Sequence, residues 1–167
     1  MNKNKNLEYW SPDRKFGMFI EQSLINKMID ACKVSGSHET GGILVGHYND
    51  NLDCANLTDV SLSPSDSRYG RFWFYRGING IQSWLNQLWK KREYYLGEWH
   101  FHPFVTAAIS PKDKTQMKKI ATSKNYHCPE PILLIIGGDP NNNWLMHAYV
   151  CDKGNAFIEL MTPAPKR

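Results

Sequence analysis

Residues 97–113 read GEWHFHPFVTAAISPKD. Their first half alternates, so Tyr95–His102 is expected to be a strand, on which residues two apart share a face. His100 and His102 therefore stand side by side, while Trp99 and Phe101 turn the other way into apolar packing. Pro103–Ile109 has no periodicity and reads as an irregular segment. Ser110-Pro111-Lys112-Asp113 then carries the S-x-x-D pattern of a capped helix start, with proline at the first helical position. The helix is expected to run to about Ser123.

The same alternation of strand and helix extends in both directions. Downstream, Pro131–Gly137 is a fully apolar strand, and Trp144–Cys151 and Ala156–Met161 are further strands. Upstream, Ile78–Tyr94 reads as a long helix with Ile81, Trp84, Leu85, Leu88 and Trp89 on one face. Before it come an aromatic strand at Phe72–Tyr75, a loop at Pro64–Ser67, and strands at Asn56–Leu62 and Thr40–Tyr48. Ser23–Val34 has helical spacing, with Ser23 as its N-cap and Gly36 as its stop. Phe16–Ile20 is a short strand, and the residues up to about Tyr9 read as a flexible tail. This mixture is an α/β or α+β fold in one domain spanning residues 1–167, with antiparallel pairing among the last strands.

The chain has 167 residues, 41% of them hydrophobic and 22% charged, enough to bury a core without crosslinks. A net charge of +4 without long Lys/Arg runs argues against a nucleic-acid footprint. No stretch approaches 18 apolar residues, so no membrane span is expected. The N-terminal residues carry no apolar signal core. Cys32, Cys54, Cys128 and Cys151 are far apart and form no C-x-x-C pair, which points to reduced thiols in the cytoplasm.

Two imidazoles on one strand face are half of a tetrahedral zinc site. Asp113, in the first helical turn, can be folded back over them as the third ligand. Three protein ligands leave a fourth position for water, the open arrangement of catalytic zinc, which brings that water's pKa to about 7. Such a site needs a base. Glu98 has the strand parity of the histidines, and Glu39 lies at the Glu39-Thr40-Gly41-Gly42 turn into a strand. The residues alone leave the choice between them open. Phe72, Trp73, Phe74 and Phe104 are candidates for a substrate groove, with ordinary core as the favoured reading. His38, His47, His127 and His147 read as structural or surface groups.

Together these residues resemble the JAB/MPN metallopeptidases. Their JAMM motif is a Glu, then H-x-H, seven residues, and S-x-x-D; here Glu39, His100, His102, Ser110 and Asp113 match it. ETGGILVG and Pro103 fit as well, and the order of elements agrees over about residues 16–160. The resemblance implies a cytidine-deaminase-like fold, a central mixed β-sheet flanked by helices. It implies Glu39 as general acid/base, Ser110 as partner of the oxyanion, and His100, His102 and Asp113 as ligands of one Zn2+ with a catalytic water. Substrates would be amide bonds at the C-terminal tails of ubiquitin-like proteins. The G-E-W-H-x-H-P string is similar to the deconjugating isopeptidases of type II CBASS anti-phage operons. These act on conjugates of cGAS-like nucleotidyltransferases and are encoded beside E1/E2-like ligases. A hydrolase of sulfur-carrier proteins and a non-catalytic MPN scaffold are the alternatives. Phe101 departs from the small residue between the histidines of eukaryotic deubiquitinases, and Pro103–Ile109 is unusually apolar; both bear on substrate fit.

Overall fold

The structure, a computed structural model, describes residues 6–153 and 155–163. The apolar run after the quoted stretch becomes β8 (Ile132–Gly138), buried on both faces up to Gly137. It pairs in parallel with β7 (Tyr94–Pro103) and antiparallel with β9 (Trp144–Asp152). Parallel neighbours need a long crossover. Here it contains α3 (Pro111–Thr122). On its other side β7 pairs antiparallel with β3 (Thr40–Tyr48).

Around this centre lie β1 (Asn6–Trp10), β2 (Gly17–Glu21), β4 (Cys54–Val60) and β10 (Ala156–Leu160). They complete an eight-stranded mixed sheet in the order β1-β2-β4-β3-β7-β8-β9-β10. β5 (Arg68–Tyr69) and β6 (Phe74–Tyr75) form a separate two-stranded pair.

Helices cover both faces. Against one lies α1 (Gln22–Ser35), whose Ile25, Met28, Ile29 and Cys32 pack in one core with Trp99, Phe101, Leu134 and Ile136. Against the other lie α2 (Ile81–Trp89) and α3. Leu88, Met117 and Ile120 meet Ile43, Val45, Leu133 and Ile135 there. Strand parity sorts the side chains: odd positions Trp99 and Phe101 face α1, and the even histidines share the face of α2 and α3. Each fully buried large side chain contributes about 1.5–3 kcal/mol by leaving water. Gly137 lets residues 103–109 close onto the sheet, because a Cβ there would lie 2.4 Å from the Ala107 nitrogen.

Several expectations are corrected. Residues 6–10 are not a tail but a strand: β1 pairs with β2 and bridges Met161. Residues 1–5 lie outside the described residues. Ser23 does not cap α1. β2 runs straight into the helix, Glu21 is the N-cap without a side-chain cap bond, and Ser23 Oγ donates to Glu21. The long helix at 78–94 shrinks to Ile81–Trp89, because Tyr94 and Tyr95 are drawn into pairing with Gly46 and Val45. Of Phe72–Tyr75 only Phe74 and Tyr75 are strand. The aromatic residues are not core: Phe72 is 67% exposed, Trp73 45% and Phe104 58%. The four cysteines are buried and form no disulfide. No described helix is long and apolar enough to cross a membrane.

Candidate metal centre

β7 delivers His100 and His102 to one face of the sheet, and the cap of α3 delivers Asp113. Ser110 Oγ accepts from the Asp113 N–H at 3.1 Å, and Asp113 Oδ2 accepts from the Ser110 N–H at 2.8 Å. This reciprocal box fixes the first turn rigidly. It aims the Asp113 carboxylate back at the strand. Asp113 Oδ1 lies 2.8 Å from His100 Nδ1, and Oδ2 lies 3.5 Å from His102 Nε2. Potential ligand atoms of all three residues fall within 4.8 Å of one another.

The three residues are 5–7% exposed. Buried polar groups need partners. His100 Nε2 has none, alone among the buried side-chain nitrogens and oxygens of the described residues. Two imidazoles, one of them with an orphaned ring nitrogen, and a carboxylate form a donor set suited to a divalent cation of borderline softness. The residues fit a metal ion. Burial pushes the Asp113 carboxyl up. Hydrogen bonds from His100, His102 and Ser110 outweigh it and hold the group well below the usual carboxylate range. Burial opposes the charged form of His102, but Asp113 and Glu39 raise its pKa overall.

The structure separates Glu39 from Glu98. Glu98 is fully buried and engaged elsewhere: Arg76 donates Nε to Oε2 at 2.7 Å and Nη2 to Oε1 at 2.9 Å. Tyr95 adds its hydroxyl to Oε1 at 2.8 Å. Glu98 is therefore not a ligand. Glu39 is half-buried immediately before β3, its N–H bound to the Gly70 carbonyl. Thr40 pairs with Phe101 and Gly41 with His100, and continuing that register sets Glu39 beside His102. Burial raises the pKa of Glu39, and the field of Asp113 adds to this against the pull of His102, His100 and Lys112. Gly41 is required here, since a Cβ would lie 2.3 Å from the Trp99 carbonyl oxygen.

The family described as prokaryotic homologs of the JAB domain matches residues 21–151. The chain belongs to this family. A CD-NTase/cGAS isopeptidase of Enterobacter hormaechei subsp. hoffmannii is 37% identical, covering 93% of this chain and 87% of that protein. A probable metalloprotease of Sinorhizobium fredii is 26% identical over 80% of this chain and 82% of its own length. A solution structure of a Desulfitobacterium hafniense protein shares the fold, with a TM-score of 0.60 and 16% identity, over 85% of this chain and 86% of that one.

In this JAB domain Phe101 faces the α1-side core, so its departure from the small residue does not reach the site. Phe74 does reach it, its ring edge-on to His100 at 6.0 Å. His38, His47, His127 and His147 stay outside the metal-ligand cluster. His147 pairs with Glu159 at 2.9 Å, and His38 sits edge-on to Tyr69. Arg76 is the residue the sequence reading missed. The signal was the parity of Glu98, which placed a carboxylate on a buried face where a counter-ion is obligatory.

Proposed function

We propose that this JAB-domain protein is a zinc-dependent isopeptidase. It hydrolyses the amide bond joining the C-terminal tail of a cGAS-like nucleotidyltransferase, or of a ubiquitin-like protein, to its target. The carrying observation is the buried cluster of His100, His102 and Asp113 with donor atoms within 4.8 Å. The Enterobacter relative named for CD-NTase isopeptidase activity supports the substrate class.

His100, His102 and Asp113 hold the ion. Zinc bound there supplies Lewis acidity, making water a usable nucleophile near neutral pH and polarising a carbonyl. Glu39 takes the proton of the attacking water and hands it to the leaving amine; its raised pKa suits both acts. The Ser110 hydroxyl serves the oxyanion. In the resting geometry Ser110 Oγ donates to Asp113 Oδ2 at 2.6 Å. Rotation about the Cβ–Oγ bond redirects that proton while the oxygen keeps the Asp113 N–H. An extended tail reaches the site by adding a strand to the β5–β6 pair, whose Phe74 meets His100. The protein acts in the bacterial cytoplasm in anti-phage defence, reversing the product of an E1/E2-like ligase.

A CD-NTase fused through its C-terminus to a fluorescent protein tests this. The zinc-loaded protein should release the reporter, and chelator should stop release. Intact fusion after prolonged incubation with zinc-loaded protein contradicts the reading. A parallel sulfur-carrier fusion separates the alternative substrate.

A further inference from the structure

A groove of about 910 Å³ runs between the outer face of α1 and the segment before β5, and ends at Glu39 and Thr40. Val34, Leu62 and Tyr69 wall it and are 90%, 50% and 56% exposed. His100, His102 and Asp113 do not line it. Glu39 therefore stands between groove and ligands, feeling His102, Asp113 and His100 on one side and lining the groove on the other.

Reaction chemistry gives that position a meaning. Water adds its oxygen to the scissile carbonyl carbon, the C–N bond breaks, and the water's proton passes through Glu39 to the nitrogen. The products are an amine and a carboxylic acid, which gives up its remaining proton to solvent at neutral pH. The carbonyl must lie on the side of the metal ligands, and the departing nitrogen must face Glu39 within hydrogen-bond reach. Whatever that nitrogen carries continues past Glu39, away from the ligands, where the groove opens.

We propose that the α1 groove holds the leaving-group side of the substrate, as an extended, lysine-bearing segment of the protein from which the tail is released. This rests on the isopeptidase reading of the site. The charges of the groove fit a cationic segment. Its own Lys27 is spent on Asp59 Oδ1 and the Val60 carbonyl, both at 2.8 Å. Asp30 is held only loosely, by Lys33 at 3.5 Å, with its side chain 74% exposed. A carboxylate thus remains available along the wall, and Val34, Leu62 and Tyr69 offer apolar surface to the stem of a long side chain.

Two substrates sharing one acyl part, the C-terminal tail of a CD-NTase, test the assignment. In one the tail is the amide of aminomethylcoumarin; in the other it is joined through an isopeptide bond to the lysine of a ten-residue basic peptide. Leu62→Arg and Asp30→Arg alter exposed positions that the fold tolerates. Each should raise KM for the peptide conjugate about tenfold with kcat unchanged, and leave the coumarin amide within about twofold. If the two substrates respond alike, or neither changes, the groove does not hold the leaving group and the assignment falls alone. A zinc-loaded wild type that cleaves neither substrate overturns the isopeptidase reading and the groove assignment together.

Discussion

Ser110 Oγ is occupied twice by Asp113, as acceptor from its N–H and as donor to its carboxylate. One residue thus serves the helix cap, the orientation of a ligand and, in the proposed reaction, the oxyanion. Ser110→Ala separates these roles. Losing the cap costs about 1 kcal/mol in chemical denaturation. Losing the oxyanion partner lowers kcat by about 10- to 1000-fold with metal content intact. The proximity of His100, His102 and Asp113 is legible in the sequence because their geometry is local. H-x-H on a strand and S-x-x-D at a helix start each fix their own spacing, and only a seven-residue segment separates them. Glu39 is legible only through family resemblance. Its place beside His102 depends on the β3–β7 register, which is a contact between residues some sixty positions apart.

Among the elements, the segment between β4 and α2 is held by one ion pair to the sheet and by one carboxylate that ties its two ends together. Arg76 is 7% exposed and pairs with the fully buried Glu98. Arg76→Met leaves that carboxylate without its counter-ion and should destabilise the protein by about 3–5 kcal/mol in denaturant titration. Adding Glu98→Leu to it should restore most of the loss. Asp66 closes the segment on itself, accepting from the Ile78 N–H at 3.0 Å and the Asn79 N–H at 2.9 Å. These two bonds lower its pKa in the folded state. A depressed carboxyl stabilises above its unfolded pKa of about 3.9 and ceases to do so as pH falls through the folded value. The Ile78 and Asn79 amide resonances should therefore titrate below about pH 3.9. A midpoint at or above that value would mean the two bonds do not hold the segment.

Element boundaries were legible where periodicity and the winning contacts agree, as at β3 and α3. They fail where long-range pairing overrides local preference. The residues after Trp89 are good helix formers, yet Arg92 turns at φ 61° and Tyr94 joins the sheet. Similarly, Asn6–Trp10 follows an Asn/Lys-rich run that hides its short apolar pattern, and it gains its order from β2 and Met161.

At the scale of the molecule, one central strand organises the function. From Glu98 onward β7 alternates: Trp99 and Phe101 bind the sheet to α1, and Glu98, His100 and His102 lie on the opposite face. Alternation in the sequence reveals that division of labour. The strand order around β7 does not follow from it, because which strands neighbour β7 is decided by packing of both helical layers. The buried Cys32, Cys128 and Cys151 belong to the same layers, and burial pushes the Cys32 and Cys128 thiols up to about 12. The central claim is that His100, His102 and Asp113 hold one catalytic metal ion served by Glu39. Metal content by elemental analysis, read beside turnover of the CD-NTase fusion for Glu39→Ala and Asp113→Ala, tests it most directly. Glu39→Ala should hold about one zinc per chain and show no turnover, and Asp113→Ala should show neither zinc nor turnover. Zinc retained by Asp113→Ala, or near wild-type turnover by Glu39→Ala, would contradict it.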